Sequence, residues 1–367
     1  MLVYIYKCKM KERLVIKIGS NLLTRKDGML DVTQMSALVD QIADLHKRGY
    51  EIIVVSSGAV AAGRAQLKNT SKLDTVSARQ LYSAVGQAKL INRYYDLFSQ
   101  HQITCGQVLT TKEDFATRRH YLNQRNCMET MIENGVIPIV NENDTISVNE
   151  LMFTDNDELS GLVAAMTDSR KLIILSNIDG IYNGNPSNPE SKVITRIDVR
   201  KDNIEDFIQS SKSSVGRGGM QTKYNIARKV AEEGIEVVIA NGRRTNILAD
   251  IISNSETVCT RFLPSPKDVS SIKKWIAHSD GFAKGEVHIN EGAKEALLGE
   301  KAVSLLPIGV TRIEGAFEED DIVRIIDPEG RFMGVGRSSY DNQTAQQMIG
   351  KSNQRPIVHY DYLYIEY

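Results

Sequence analysis

The chain has 367 residues, of which 41% are hydrophobic and 25% charged, as in an ordinary globular protein. This length is enough for two domains and a large buried core. The formal net charge of −1 at pH 7 argues against a whole-protein attraction to nucleic acid or to an anionic membrane.

Cysteine and histidine spacing excludes two kinds of site. The four cysteines lie far apart and form no CxxC pair, so we expect no disulfide framework or zinc site, and a reducing cytoplasm. The six histidines never have HExxH-like spacing, and no metal site is predicted.

No apolar run approaches the ~18 residues of a transmembrane helix. The first residues lack the features of a signal peptide, and we expect residues 1–10 to be a disordered extension.

From residue 13 onward, short β-branched runs alternate with helical patterns. Such continuous apolar runs are typical of central strands in a parallel sheet covered on both faces. A helical pattern follows the first run, with Thr33 as its expected N-cap and Gly49 as its stop. The alternation predicts an α/β fold with an open, mostly parallel sheet sandwiched by helices. The clearest runs are residues 14–20, 51–57, 136–143, 171–177 and 236–241.

The periodicity stops near residues 262–275, where prolines and serines interrupt it. We therefore predict a first domain over residues 1–265, a linker over 266–278, and a small, mostly β domain over 279–367. The last region has one helical pattern near residues 291–298. Its strand-like runs are residues 285–290, 302–310, 321–327, 332–339 and 355–367.

Most of the predicted strands of the first domain end in polar or glycine-rich clusters. In open α/β sheets, ligands bind beyond the carboxyl ends of the strands, so these clusters predict a binding site at one edge of the sheet. The candidates are Lys17, Gly19, Ser57, Gly58, Asn141, Asp144, Asp155, Asn156, Asp157, Ser176 and Asn177.

Lys17 is the candidate for which a purely structural role is the least satisfactory explanation. A lysine in a central strand must be paired or face a ligand, because an unpaired buried charge costs several kcal/mol. The Ser57–Gly58 turn opens into a small-residue helix whose first N–H groups would face an anion. The segment 154–157, "TDND", has an alternative interpretation as a helix cap with solvated carboxylates.

The segment 216–223, "GRGGMQTK", looks like a phosphate-binding loop with the wrong spacing. It is not a Walker A loop, since Tyr224 follows Lys223, and it does not match GxGxxG. A flexible linker before a helix is the alternative. However, Lys223 falls near the start of a helical pattern, close to any anion bound at the helix N-terminus. Two lysines at the ends of elements suit phosphoryl transfer, which needs positioning and charge neutralisation.

Seven motifs follow one another in order over residues 13–241: "VIKIGSN", "VVSSGAVAAGR", "GQVLTTKEDF", "VIPIVNENDTIS", "DNDELSGLVA", "IDGIYNGNP" and "GRGGMQTK". Together they make the chain resemble the amino acid kinase family. The resemblance implies the branch that uses ATP and Mg²⁺ to phosphorylate the γ-carboxylate of L-glutamate, the first step of proline biosynthesis. The last domain resembles a PUA domain, which accompanies the kinase domain in this branch.

The resemblance implies a role for each candidate. Lys17 and Lys223 would neutralise the transferred phosphoryl group, and Asp157 would pair with both. A carboxylate acceptor is already a nucleophile, so no general base is expected. The glutamate substrate would contact Ser57, Gly58, Asn141, Asp144, Asp155 and Asn156, with the two aspartates recognising its α-ammonium group. ATP would contact Lys17, Gly19, Ser176, Asn177, Arg217, Gly218, Gly219, Met220, Gln221, Thr222 and Lys223. Where family members often have Thr-Asp, Ser176-Asn177 keeps the hydroxyl and loses the charge.

The resemblance also implies partners. We expect a homo-oligomer (dimer or tetramer), feedback inhibition by proline involving residues 111–126, and transfer of the product to glutamate-5-semialdehyde dehydrogenase. Two alternatives remain: a family activity on N-acetylglutamate, aspartate, carbamate or a nucleotide, or RNA binding through the PUA-like domain. Residues 281–360 hold nine Lys/Arg against twelve Asp/Glu. RNA binding normally needs a basic surface, so we expect an accessory role for this domain.

Overall fold

The structure is a computed structural model, and its described residues fall into two compact units. The first comprises residues up to 111 and 125–267, and the second 112–124 and 268–367. The predicted extension (1–10) lies outside the described residues, as does most of the predicted linker, so the boundaries at 265 and 279 stay a prediction. The described residues are 12–67, 73–116, 118–147, 153, 155–185, 188–201, 219–266, 276, 282–299 and 303–366.

An eight-stranded sheet forms the centre of the first unit. Its strands are β1 (Arg13–Ile18), β2 (Glu51–Ser56), β3 (Cys105–Thr110), β4 (Ile137–Glu142), β5 (Lys171–Ser176), β6 (Arg196–Asp198), β7 (Glu236–Asn241) and β8 (Cys259–Leu263). The spatial order is β3-β4-β2-β1-β5-β7-β8-β6. All neighbours pair in parallel except β7 and β8. The five strands predicted from apolar runs and the mostly parallel α/β fold are confirmed.

Helices cover both faces of this sheet. On β1, Leu14, Ile16 and Ile18 belong to one core cluster with side chains of α2 and α4, while Lys17 points to the other face and pairs with Asp157 of α7. Among the described residues up to 266, the helices are α1 (Ser20–Leu23), α2 (Val32–Lys47), α3 (Ala59–Gln66), α4 (Thr75–Gln100), α5 (Glu113–Ala116), α6 (Arg118–Glu133), α7 (Asn156–Met166), α8 (Met220–Glu232) and α9 (Ile247–Ser253).

The ends of α2 show one wrong and one correct sequence prediction. The predicted cap, Thr33, lies inside the helix, and Asp31 caps it instead by accepting a hydrogen bond from the Gln34 N–H at 3.2 Å. Both residue types are good caps, so the pattern could not distinguish them. Gly49 ends the helix as predicted, with φ +92°, a backbone conformation that favours glycine.

Helices α3 and α4 approach each other through two glycines. A Cβ atom at Gly63 would lie 1.8 Å from the Tyr82 carbonyl oxygen, and one at Gly86 would lie 1.8 Å from the Ala59 carbonyl oxygen. Neither position leaves room for any side chain. The helix that follows the Ser57–Gly58 turn is therefore held directly against the backbone of α4.

The second unit contains a five-stranded sheet in the order β10-β9-β11-β12-β13, where β9 is Gly285–Ile289, β10 Val310–Gly315, β11 Ile322–Ile326, β12 Phe332–Ser338 and β13 Val358–Ile365. The predicted helix is α10 (Glu291–Leu298), and a second one, α11 (Asn342–Met348), was not predicted. The strand expected over 302–310 is wrong, because a 3₁₀ turn at Pro307–Gly309 leads into β10 there. The small, mostly β domain is confirmed. Among the described residues, no helix is both long and apolar enough to cross a membrane.

Candidate active site

Lys17 lies at the point where the order of the parallel sheet reverses. Strand β1 pairs with β2 on one side and with β5 on the other, so Lys17 is opposite Val55 and Ile174. Strands β2, β3 and β4 lie on one side of β1 in the sheet, and β5 and the later strands lie on the other side. Ligands of such sheets bind in the crevice at this reversal, beyond the carboxyl ends of the strands.

Asp157 pairs with two lysines that come from distant parts of the chain. Lys17 Nζ lies 2.5 Å from Asp157 Oδ1, and Lys223 Nζ lies 2.8 Å from Asp157 Oδ2. The Asp157 side chain is fully buried, and those of Lys17 and Lys223 are 7% and 11% exposed. Burial alone would raise the pKa of Asp157, but the two ammonium groups outweigh it and lower that pKa. The two ammonium groups share the charge of Asp157, and Asp155 is a second carboxylate whose charge acts on both lysines.

Residues at the start of α7 both cap the helix and belong to the candidate active site. Asp155 is the N-cap, and its Oδ1 accepts from the backbone N–H of Asp157 at 2.8 Å and of Glu158 at 3.2 Å. The interpretation of "TDND" as a helix cap is therefore correct for Asp155. Its Oδ2 is buried and has no hydrogen-bond partner among the described residues. Burial, followed by the charge of Asp157, raises the pKa of Asp155, and the two lysines oppose this.

Asn156 joins the ends of β2 and β4 to α7. Its Nδ2 lies 2.7 Å from the Ser56 carbonyl oxygen, 2.9 Å from Ser57 Oγ and 2.9 Å from Asn141 Oδ1. Asn141 in turn donates from Nδ2 to Gln87 Oε1 on α4 at 2.8 Å. These bonds place Ser57, Asn141 and Asn156 together, next to the residue that pairs with both lysines.

Asp144 follows β4 and is held by an arginine. Arg79 Nε lies 2.7 Å from Asp144 Oδ1, and Arg79 Nη2 lies 3.2 Å from Glu142 Oε2. Asp144 is therefore already ion-paired in the described structure. We did not predict a role for Arg79, Glu142 or Gln87.

The candidates for nucleotide contacts lie around β5 and the start of α8. The Gly19 N–H donates to the Leu175 carbonyl oxygen at 3.1 Å and so closes the gap between β1 and β5. A Cβ at Gly19 would lie 3.3 Å from that oxygen, a tight contact, and 3.7 Å from Lys17 Nζ, which is ordinary van der Waals contact. Ser176 is nearly buried at the end of β5, and Asn177 after it is exposed.

The first turn of α8 carries Lys223 towards the crevice. Gly219 is its N-cap in an extended conformation, with no side-chain cap. Gly219 has no side chain with which to cap the N–H groups of Met220, Gln221 and Thr222, which begin the helix, and free N–H groups at a helix start can bind an anion. The predicted contacts Arg217 and Gly218 lie outside the described residues.

The profile of the amino acid kinase family matches residues 12–241, and that of the PUA domain matches residues 285–360. The chain belongs to the amino acid kinase family. It is 66% identical over 355 residues to the glutamate 5-kinase of Bacteroides thetaiotaomicron, covering 96% of this chain and 98% of that one. It is 45% identical over 358 residues to the glutamate 5-kinase of Chlorobaculum tepidum, covering 96% and 97%.

A solved family structure supports the fold. Carbamate kinase from Giardia lamblia bound to AMP-PNP has a TM-score of 0.52 at 15% identity, covering 70% of this chain and 99% of that one. At this identity the likeness concerns the fold alone. The relatives do not favour the alternative activities or RNA binding, and an ATP-dependent kinase is supported.

No metal cluster of protein ligands lies at the crevice of this kinase fold within the described ranges. The one group of described side chains close enough to share a cation is Glu286, His288 and Glu314, in the second unit. Arg312 contacts both His288 and Glu314, at 3.2 Å and 3.0 Å, and so neutralises part of that group.

Proposed function

We propose that this chain transfers the γ-phosphoryl group of ATP to the γ-carboxylate of L-glutamate, giving L-glutamyl 5-phosphate. The observation that carries the proposal is the pairing of Lys17 and Lys223 on the two oxygens of buried Asp157. Relatives at 66% and 45% identity over nearly the whole chain bear the name glutamate 5-kinase. The acceptor follows from that likeness, and the phosphoryl chemistry from the lysines.

The two lysines would stabilise the charge of the transferred group. Phosphoryl transfer passes through a loose transition state with negative charge on the equatorial oxygens, so fixed cations are the main protein contribution. Asp157 would hold both ammonium groups in place before substrate arrives, because each of its oxygens pairs with one lysine. Because a glutamate γ-carboxylate has a pKa of about 4.3, it is already ionised and needs no base.

The acceptor pocket would lie between α7 and the ends of β2 and β4. The substrate would be positioned by Ser57, Gly58, Asn141 and Asn156. The side-chain amide of Asn156 already links the end of β2 and the end of β4 to α7. Asp144 and the unpartnered oxygen of Asp155 would supply the negative charge that attracts the α-ammonium group.

ATP would bind on the β5 side of the crevice. Its contacts would include Lys17, Gly19, Ser176 and Asn177, together with the segment from Arg217 to Lys223. Mg²⁺ would enter with the nucleotide as part of the substrate, bridging phosphate oxygens and keeping several waters. The extended Gly219, which has no capping side chain, and the first turn of α8 suit the approach of phosphate oxygens.

The product is an acyl phosphate, which is reactive towards water, and this favours direct transfer to a reductase such as glutamate-5-semialdehyde dehydrogenase. We also propose a cytoplasmic homo-oligomer that proline inhibits, with residues 111–126 taking part in the inhibition. Activity with and without proline, and light scattering of the purified chain, test these points.

The acceptor can be tested by trapping the product as its hydroxamate. We expect hydroxamate with L-glutamate, ATP and Mg²⁺, and none with N-acetylglutamate, because a blocked amine cannot pair with an aspartate. Equal turnover of the two acceptors would overturn the assignment of the substrate.

A further inference from the structure

Arg79 on α4 faces two carboxylates that are almost fully removed from water. Its Nε lies 2.7 Å from Asp144 Oδ1, its Nη2 contacts the same oxygen, and that Nη2 lies 3.2 Å from Glu142 Oε2. The Glu142 and Asp144 side chains are 4% and 8% exposed. Two neighbouring buried carboxylates need a counter-charge, and Arg79 supplies it.

The two carboxylates differ in the hydrogen bonds that their oxygens accept. Glu142 Oε1 accepts hydrogen bonds from Ser147 Oγ and the Phe153 N–H, both at 3.0 Å, so both of its oxygens are used. Asp144 Oδ2 has only Ser83 Oγ, at a long 3.4 Å, among the described residues. Asp144 Oδ2 therefore retains capacity for a further donor, while Glu142 anchors the arginine.

The charges of this cluster favour one incoming cation. Glu142 and Asp144 carry two negative charges and Arg79 carries one positive charge, which leaves a net charge that one ammonium group can balance. Burial, and then the charge of Asp144, raise the pKa of Glu142, and Arg79 opposes the rise. Without the guanidinium, two buried carboxylates this close would not both remain ionised.

The helix that carries Arg79 also reaches the rest of the pocket. Ser83 and Gln87 follow Arg79 at four-residue spacing, on the same face of α4, and contact Asp144 and Asn141. The close glycine contact between α3 and α4 fixes this face relative to the helix that follows Ser57–Gly58. One helix thus orients both sides of the acceptor pocket.

We propose that Arg79 is a positioning residue for amine recognition. It fixes Asp144 by one oxygen, directs the other oxygen towards the α-ammonium group of the acceptor, and leaves the cluster of Arg79, Glu142 and Asp144 with one net negative charge for that group. This inference rests on the proposed glutamate kinase activity. It adds a residue that helps the enzyme to distinguish glutamate from glutarate, the dicarboxylate without the amine.

Arg79→Met tests the proposal, with kcat, the KM values for L-glutamate and ATP, and inhibition by glutarate as readouts. Glutarate has both carboxylates of glutamate and no amine. We expect the KM for L-glutamate to rise about 10- to 100-fold, as for a lost charge-assisted contact, while the KM for ATP and the Ki of glutarate change less than about threefold. Arg79→Lys restores the charge without the planar fork, and we expect it to recover part of the loss.

Arg93→Gln is the matched control, because Arg93 lies on the same helix and pairs on the exposed surface with Asp96, at 3.8 Å. Thermal unfolding of all variants separates loss of fold from loss of recognition. If Arg79→Met does not fold, the selective rise in the glutamate KM must appear in Arg79→Lys. A glutamate KM within twofold of wild type, or equal weakening of glutamate and glutarate, would overturn the inference. Wild-type enzyme that makes no glutamyl hydroxamate would instead overturn the proposed function.

Discussion

Lys17 Nζ lies 2.5 Å from Asp157 Oδ1, at a place where neither side chain has appreciable contact with water. A buried ion pair of this kind contributes little net stability when complete, because desolvation offsets attraction. Removing one partner is costly, since the other charge remains buried. Asp157 has two such partners, so its loss would leave the ammonium groups of Lys17 and Lys223 facing each other.

Asp157→Asn should therefore destabilise the protein at pH 7, by about 3–5 kcal/mol. Asparagine keeps the shape and one accepting oxygen, so the change isolates the charge. Urea unfolding of both proteins at pH 7 measures the difference. A loss below about 1 kcal/mol would mean that the lysines are solvated or paired elsewhere, contrary to the geometry described above.

The same substitution gives a pH signature. The native pKa of Asp157 is lowered, so its stabilising contribution is complete well above the unfolded value of about 3.9 and is lost as the pH falls through the native pKa. The difference in unfolding free energy between wild type and Asp157→Asn should therefore shrink as the pH falls below about 4. A difference that stays constant down to pH 3 would contradict the lowered pKa.

Asn156→Asp should impair acceptor binding with little change in volume. The new carboxylate would face the Ser56 carbonyl oxygen and Asn141 Oδ1, two acceptors to which Asn156 now donates. We expect kcat/KM for L-glutamate to fall about 100-fold, because buried acceptors lose their donor. Asn225→Asp on α8 is the control, since its oxygen keeps accepting from Gln221 Nε2. Equal activity of Asn156→Asp and wild type would exclude Asn156 from the pocket.

Gly86→Ala should destabilise the first unit through the contact between α3 and α4. Its new methyl group would lie 1.8 Å from the Ala59 carbonyl oxygen, so the two helices must separate. Overpacking of this severity costs about 3 kcal/mol. Gly292→Ala in α10 is the control, because its Cβ would come no closer than 3.6 Å to another atom. Thermal unfolding gives the comparison, and equal midpoints for the two variants would contradict the close approach.

Strand prediction succeeded where burial on both faces leaves a continuous apolar run. Strands β1, β2, β4, β5 and β7 all have that pattern. Strand β3 was missed because it lies at the edge of the sheet and contains Gly106 and Gln107. An edge strand needs fewer apolar residues, so its sequence carries a weaker signal.

Lys17 was singled out because a lysine is unusual in an apolar strand, and Lys223 because it follows a glycine-rich segment at the start of a helical pattern. Carboxylates at a helix start are common caps, so the pairing of Asp157 with both lysines was expected from the family resemblance. Arg79 was not singled out, since an arginine on a 26-residue helix is ordinary. Its partner Asp144 is 65 residues away, and only tertiary structure brings them together. A polar residue at every fourth position, Arg79, Ser83 and Gln87, was the one local sign of this contact.

The kinetic effect of Lys223→Met tests the catalytic role of the Lys17–Asp157–Lys223 cluster most directly. If Lys223 neutralises the transferred phosphoryl group, its charge matters most in the transition state. We expect kcat with L-glutamate to fall about 100- to 1000-fold, with KM values for glutamate and ATP within about threefold of wild type. Lys229→Met on the same helix should leave kcat unchanged. A large rise in KM with kcat retained would contradict the central role of the Lys17–Asp157–Lys223 cluster in catalysis.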